Sequence, residues 1–208
     1  MRCVARWEPD AQGRLVVAAL ELFGERGYDQ TTVADVAERA GVTERTFFRY
    51  FTDKREVLFG AGHVWEDQII AGIEDADPSL APLDAVVAGL IAGASLLDER
   101  RAFALRRAAV LAATPSLQER ELLKMTKLAE AITLTLGKRG VADFDGQLAA
   151  ETGVAAFRVA FARWIADASG DLSLGAHIAE AASALRALAG GVTQDQDATR
   201  GETLKRRL

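Results

Sequence analysis

The chain has 208 residues, half of them hydrophobic, with four prolines and a single cysteine, Cys3. One thiol excludes a disulfide framework and a cysteine-based zinc site, and a net charge of −5 with a pI near 5.2 excludes nucleic-acid binding through bulk positive charge. The composition favours an all-α protein. Because the opening residues lack the apolar core of a signal peptide, we expect a cytoplasmic protein, and the sequence gives no sign of a metal or cofactor.

Residues 1–8 are expected to form a flexible arm ahead of the first helix. Pro9 and Asp10 precede that helix, which is predicted to end near Gly27. Its apolar residues recur every three or four positions, which is the spacing of a helix with one buried face. The residues predicted to face inward are Leu15, Ala18, Ala19, Leu22 and Phe23.

Residues 32–51 predict two short helices joined by a tight turn. Thr32 is placed to cap the first helix, and Asp35 completes a capping box in place of the usual Glu or Gln. Gly41 follows this helix and can adopt the positive φ that ends it. Phe47 falls on the buried side of the second helix. Such a pair is either an ordinary αα-hairpin or a helix-turn-helix whose second helix enters the DNA major groove.

The second helix begins after Thr43, and its outer face carries side chains that form hydrogen bonds. Arg45 has the planar fork that matches the O6 and N7 atoms of guanine, a contact worth about 1–3 kcal/mol of discrimination. Thr46 could contact a thymine methyl group or a phosphate. Arg49 and Tyr50 lie one turn further on, where they could donate to backbone phosphates. This face therefore has the chemistry for both base and phosphate contacts.

Further landmarks surround the motif in a fixed order: Ala18–Ala19–Leu20, Leu22–Phe23, Gly27–Tyr28, Thr31–Thr32, Ala40–Gly41–Val42, Tyr50–Phe51 and Lys54. Through them, residues 10–58 resemble the N-terminal domain of the TetR family of transcriptional regulators. The resemblance implies a three-helix, helix-turn-helix DNA-binding domain over residues 9–58. It also implies a phosphate contact for Lys54. The predicted DNA-binding residues are therefore Thr32, Thr43, Arg45, Thr46, Arg49, Tyr50 and Lys54.

Phe48 departs from this family pattern. The family usually has Tyr at this position, and the tyrosine hydroxyl contacts the DNA backbone. Phe keeps the aromatic ring but loses that hydrogen bond. Either some affinity is lost, or Arg49 supplies the contact instead.

The rest of the chain is predicted to be helical, giving about nine helices in all. Asp53 and Glu56 predict a second capping box, for a helix from Lys54 to about Glu74 that joins the DNA-binding domain to the body in the family. Further helices are predicted at 79–97, 99–113, 116–138, 145–168 and 173–188. Residues 190–208 are polar and lack helical periodicity, so a disordered tail is expected there.

The resemblance implies that residues 59–189 form a helical effector-binding and dimerisation domain. In the family, the last two long helices pair with those of a second subunit in a four-helix bundle, and a two-fold protein reads a palindromic operator. The predicted dimer-interface residues are Trp164, Ile165, Ile178, Ala182 and Leu185.

A largely apolar pocket with a few polar groups is expected in this body. Arg106 and Arg107 could bind a carboxylate or phosphate of an effector, although a salt bridge to Glu121 or to a neighbouring residue is at least as good an alternative for them. Residues 104–132 loosely resemble the effector domain of actinobacterial, mycofactocin-type members of the family. The predicted pocket residues are Trp65, Ile69, Leu90, Phe103, Arg106, Arg107, Met125, Phe157 and Phe161, with Leu111 and Leu128 nearby.

No motif indicates an enzyme, because the two histidines, His63 and His177, lie outside any metal-ligand spacing and no phosphate loop or nucleophile elbow is present. The sequence therefore predicts a dimeric transcriptional regulator, most simply a repressor released from palindromic double-stranded DNA by a small apolar or amphipathic effector. An activator, an effector-independent regulator, and a helical enzyme or adaptor with a purely structural helix-turn-helix remain alternatives. No membrane partner is expected.

Overall fold

A computed structural model describes residues 10–60 and 62–205, and it describes side chains for residues 10–60 and 63–190. These residues contain helices and no strands, which confirms the predicted all-α fold. The expected arm at residues 1–8 lies outside the described residues. A short 3-10 helix covers Arg55–Leu58. The α-helices in the described residues are α1 (Ala11–Arg26), α2 (Val33–Arg39), α3 (Glu44–Tyr50), α4 (Gly62–Glu74), α5 (Pro82–Asp98), α6 (Arg101–Ala112), α7 (Pro115–Lys138), α8 (Asp143–Ala166) and α9 (Leu174–Lys205).

The helices group into two compact units, and each unit is built from two separate stretches of the sequence. The first unit comprises Met1–Trp65 and Arg100–Lys124, and the second comprises Glu66–Glu99 and Met125–Leu208. The DNA-binding motif therefore shares a unit with α6 and the first part of α7. The predicted domain boundary after residue 58 would instead assign α6 and α7 to the effector-binding domain.

The core of the first unit is built from the buried faces of α1, α2, α3 and α6. Leu15 and Phe47 are 0 % exposed, and Leu22 and Phe23 of α1 lie beside them as predicted. Leu111 of α6 packs into the same cluster. Burial of one such side chain contributes about 1.5–3 kcal/mol relative to exposure. This cluster holds α3 by its inner face and leaves the opposite face in solvent.

Local capping interactions set the ends of α2 and α3, and they confirm the predicted turn. The Asp35 amide donates to Thr32 Oγ1 at 3.1 Å, while the Thr32 amide donates to Asp35 Oδ2 at 2.8 Å, so the capping box is complete. Gly41 has φ of 68°, the left-handed conformation that a residue without a Cβ adopts readily. Thr43 Oγ1 then accepts the Thr46 amide at 3.2 Å and starts α3.

The segment after α3 differs from the single helix predicted for residues 54–74. The chain instead forms the 3-10 helix Arg55–Leu58, and α4 begins at Gly62. Asp53 Oδ1 does accept the amides of Arg55 and Glu56, at 2.7 and 3.2 Å. The Glu56 carboxylate does not complete a capping box, because it pairs with Arg120 of α7.

In the second unit α5 packs closely against its neighbours, and glycines make these contacts possible. A Cβ added to Gly89 of α5 would lie 2.5 Å from the Ile69 carbonyl oxygen of α4, and one added to Gly153 of α8 would lie 2.4 Å from Val86 Cγ1. Arg139 closes the end of α4, because its guanidinium donates to the carbonyl oxygens of Ile73, Ala76 and Asp77 at 2.8–2.9 Å.

Helix α9 is longer than the sequence indicated. The sequence predicts a helix that ends at residue 188 and a disordered tail from residue 190, whereas the helix continues to Lys205. The segment holds no proline, and α-helical backbone hydrogen bonds do not require an apolar face. A helix end inferred from polar composition alone is therefore too early in the chain.

Candidate nucleic-acid interface

Helix α3 is anchored by one fully buried residue. Phe47 is 0 % exposed, and its ring contacts those of Phe48 and Phe51 at centroid distances of 5.4 and 5.3 Å. Ala37 of α2 is also buried, as expected for a small residue where two helices pack closely. Because the inner face of α3 is fixed in this way, the residues on the other side point away from the core.

The outer face of α3 borders a shallow concavity of about 590 Å³. Arg45, Phe48 and Arg49 are exposed there, while Thr46 is half-buried. The hydroxyls of Thr43 and Thr46 are hydrogen-bonded to each other at 3.0 Å. The residues lining the concavity are Thr43, Arg45, Thr46, Phe48 and Arg49. Four of the seven predicted DNA-binding residues thus lie on one surface.

The two arginines of this surface differ in their surroundings. Arg45 makes no hydrogen bond or ion pair with any other residue in the part of the chain that the structure describes, so its five donors remain available. Arg49 donates from Nη2 to Tyr50 Oη at 3.0 Å, and its guanidinium carbon lies 4.8 Å from the centroid of the Tyr50 ring. The pair leaves the tyrosine hydroxyl proton free to donate elsewhere, and it holds both side chains at one edge of α3.

Lys54 lies at a different place and has structural partners. Its ammonium donates to the carbonyl oxygens of Tyr28 at 2.7 Å and Thr31 at 2.9 Å, and it sits 4.0 Å from the centroid of the Tyr28 ring. Burial lowers the pKa of Lys54, and the charge of nearby Asp29 partly opposes that effect. Two of the three ammonium protons therefore fix the loop between α1 and α2, and one remains for another acceptor. The sequence could not reveal this clamp, because the partners are 23 and 26 residues away.

Thr32 also has a structural role. Besides capping α2 with its oxygen, its hydroxyl donates to Asp35 Oδ2 at 2.6 Å. That bond lowers the pKa of Asp35, with a further contribution from the Thr32 amide. The oxygen and the proton of the Thr32 hydroxyl are both engaged in holding the start of α2.

The residues predicted to line an effector pocket are divided between the two units. Trp65, Phe103, Arg106 and Arg107 belong to the first unit, and the remaining five belong to the second. Arg107 forms the salt bridge that was the alternative to effector binding, with Nη1 and Nη2 at 3.2 and 2.7 Å from the Glu121 carboxylate. Among the residues that the structure describes, the Arg106 side chain hydrogen-bonds only to the Ala102 carbonyl oxygen, at 3.4 Å.

Some of the predicted pocket residues in the second unit are fully buried in its core. Ile69 and Leu90 are 0 % exposed. The rings of Phe157 and Phe161 pack against each other with centroids 5.8 Å apart. No group of three or more His, Cys, Asp or Glu residues with metal-binding geometry occurs among the described residues.

Three of the five predicted dimer-interface residues are buried within the single chain. Trp164 and Ile178 are 0 % exposed and Ala182 is 1 % exposed, while Ile165 and Leu185 are half-buried. Helical periodicity identified an apolar face on each helix but not which neighbour covers it. Up to residue 190, where the description of side chains ends, the large apolar side chains that α8 and α9 leave exposed are Phe144, Leu148, Val159 and Leu188.

Comparisons with known proteins agree with this geometry. Residues 15–61 match the model of bacterial regulatory proteins of the tetR family, and residues 80–190 match the MftR C-terminal domain. The mycofactocin biosynthesis transcriptional regulator MftR of Mycobacterium tuberculosis is 28 % identical over 158 residues, which are 74 % of this chain and 80 % of that protein. The regulator TcmR of Streptomyces glaucescens is 28 % identical over 169 residues, 76 % of this chain and 75 % of that protein.

A solved structure shares the fold. The complex of triclosan with SmeT of Stenotrophomonas maltophilia superposes with a TM-score of 0.58 at 18 % identity, covering 84 % of this chain and 90 % of that chain. The chain belongs to the TetR family of bacterial regulators, with a C-terminal domain of the MftR type, and it is a DNA-binding transcriptional regulator. Both resemblances predicted from the sequence are thereby confirmed. No helix in the described part of the chain has the length and apolar character to cross a membrane.

Proposed function

We propose that the protein is a cytoplasmic homodimer that represses transcription by placing α3 of each subunit in the major groove of a palindromic operator. The observation that carries this proposal is the exposed guanidinium of Arg45, which has no partner among the described residues, on a helix whose opposite residue, Phe47, is fully buried. A rigidly held helix with a free planar donor fork suits hydrogen bonding to a guanine edge.

The contacts with the phosphate backbone come from the margins of the same surface. Arg49 and Tyr50 form a hydrogen-bonded pair at the edge of α3, and together they still offer several protons to phosphate oxygens. Lys54 offers the one proton that its two carbonyl partners leave free. One of the hydroxyls of Thr43 and Thr46 donates to the other, so the pair has one hydroxyl proton left for a phosphate and offers fewer donors than Arg45 does. Few cations make these contacts, which is consistent with the acidic pI of the chain.

The second subunit is proposed to cover the exposed apolar residues of α8 and α9. Phe144, Leu148 and Val159 are 74, 57 and 58 % exposed, and their spacing places them along one stripe of α8. Exposed apolar stripes of this kind mark interaction surfaces in soluble proteins. Dimerisation also supplies the two-fold symmetry that a palindromic operator requires.

Release from DNA is proposed to follow binding of a small effector with a substantial apolar part. The proposal draws on the family membership of the chain and on triclosan, an apolar ligand of the structural relative SmeT. Residues of the second unit such as Met125, Phe157 and Phe161 are the candidates for contacts with it. Effector and operator binding are then coupled reciprocally, because the effector favours a spacing of the two α3 helices that does not match successive major grooves.

The test is a binding titration of the purified dimer against duplexes selected from a random library. We expect a palindromic consensus whose affinity falls steeply with salt, because phosphate contacts release counterions. Recovery of no consensus at low salt contradicts the proposal and favours an adaptor. A thermal-shift screen of apolar metabolites, followed by the same titration, then tests for an effector.

A further inference from the structure

Phe48 is an unusual residue for the outer face of a helix. Its side chain is 55 % exposed, and it lies on the concave surface between Arg45 and Arg49. The Phe48 ring meets the buried Phe47 ring edge-on, with centroids 5.4 Å apart and planes at 80°. That contact packs one edge of the aromatic pair against the core and leaves a bare apolar ring surface on the same concave face as the two arginines.

The chemistry of Phe48 restricts what it can bind. A phenyl ring neither donates nor accepts a conventional hydrogen bond, so Phe48 cannot take over a tyrosine contact to a phosphate. On the base edges of the major groove, the main apolar group is the C5 methyl of thymine. Thr46 is the other residue suited to that methyl, but it is half-buried, whereas Phe48 is 55 % exposed.

We propose that Phe48 is a specificity-determining residue that recognises a thymine in each operator half-site by packing its ring on the C5 methyl group. The inference rests on the proposed function, in which α3 lies in the major groove. Arg45 and Phe48 are three residues apart and are therefore neighbours on one helix face. The thymine accordingly lies within about two base pairs of the guanine that Arg45 contacts.

The experiment uses the full-length protein and a palindromic duplex selected from a random library. Each thymine is replaced in turn by deoxyuridine, which removes only the C5 methyl and keeps base pairing. At one position in each half-site we expect the substitution to weaken wild-type binding about fourfold, the factor that corresponds to burying one methyl-sized group. The same substitution should leave the affinity of Phe48→Ala unchanged.

Two further variants complete the experiment. Phe48→Tyr keeps the ring face and should keep the deoxyuridine penalty. Val17→Ala removes an apolar side chain of similar exposure, 47 %, from α1 and should keep the penalty as well. Far-ultraviolet circular dichroism should show the same helix content in all the proteins, because both substituted residues are exposed.

The outcomes separate this inference from the proposed function. Specific binding of the wild type with equal affinity for thymine and deoxyuridine duplexes overturns the inference and leaves the proposed function in place. A penalty that persists in Phe48→Ala also overturns it, because another residue then reads the methyl. Failure of the wild type to select any sequence overturns both.

Discussion

Arg120 of α7 and Glu56 of the 3-10 helix form a two-point ion pair although 64 residues separate them. Arg120 Nε donates to Oε1 at 2.6 Å and Nη2 donates to Oε2 at 3.1 Å, and both side chains are 24 % exposed. The hydrogen bond to Glu56 raises the pKa of Arg120. Arg107 of α6 donates to the Leu58 carbonyl oxygen at 3.0 Å, beside the ring of Phe59. These contacts tie α6 and the start of α7 to the segment that follows the DNA-binding motif.

Replacing Arg120 should therefore destabilise the first unit. We expect Arg120→Ala to lower the free energy of unfolding by about 1–3 kcal/mol, because it leaves the half-buried Glu56 carboxylate without its main partner. Urea denaturation followed by circular dichroism measures this change. The matched control is Lys138→Ala, which breaks an exposed 3.5 Å pair with Glu74 and should cost less than about 0.5 kcal/mol. Equal losses in both variants would show that the Arg120 pair has no special structural role.

Lys54→Met should alter both stability and DNA binding. The carbonyl oxygens of Tyr28 and Thr31 lose their donor, so we expect unfolding to become easier by about 1–3 kcal/mol. Loss of one phosphate contact should also reduce the slope of log affinity against log salt by about one unit. The exposed Lys127→Met is the control for both measurements. An unchanged salt slope together with reduced stability would show that Lys54 does not contact phosphate and only holds the loop between α1 and α2.

The capping box at Asp35 predicts a loss of stability in acid. Hydrogen bonds from the Thr32 hydroxyl and amide lower the pKa of Asp35 from its ordinary value of 3.8. A group with a lowered folded-state pKa stabilises the fold above its unfolded pKa, and that contribution disappears as the pH falls through the folded value. We therefore expect a stability difference between wild type and Asp35→Ala at pH 7 that shrinks below about pH 4. A difference that stays constant to pH 2 would contradict the capping role.

Substitution on the exposed stripe of α8 tests the proposed dimer. Val159→Glu places a charge where we expect the partner subunit, so it should produce monomers in sedimentation velocity and weaken operator binding at least tenfold. Leu134→Glu is the control, since Leu134 is also exposed, at 71 %, but lies on α7. A dimer that survives Val159→Glu with unchanged affinity places the interface elsewhere.

Features of the fold that depend on residues close together in sequence could be predicted, and features that depend on distant residues could not. Thr32, Asp35, Gly41 and Thr43 act on residues within four positions, so their caps and turn could be predicted from local sequence. Phe47 could be assigned to the core because helical periodicity places it opposite the polar face. These interactions determine the exposed surface of α3, which explains why most of the candidate site could be predicted.

The remaining features depend on contacts between distant residues. The Arg120–Glu56 pair and the Lys54 carbonyl clamp leave no local pattern in the sequence. Helical periodicity likewise predicts that Trp164 and Ile178 are buried, as they are, but it does not indicate whether the chain's own core or a partner subunit covers such residues. The placement of α6 in the first unit is also a tertiary result, because its apolar residues would fit any helical core.

The most direct measurement of the central proposal is a titration of Arg45→Ala against a series of operators with each base pair changed in turn. If α3 reads the major groove, the wild type should discriminate about tenfold or more at a guanine in each half-site, and Arg45→Ala should lose that preference while keeping the others. Identical sequence preferences in the two proteins would contradict the proposal, because the one unpaired guanidinium on the described surface of α3 would then play no part in recognition.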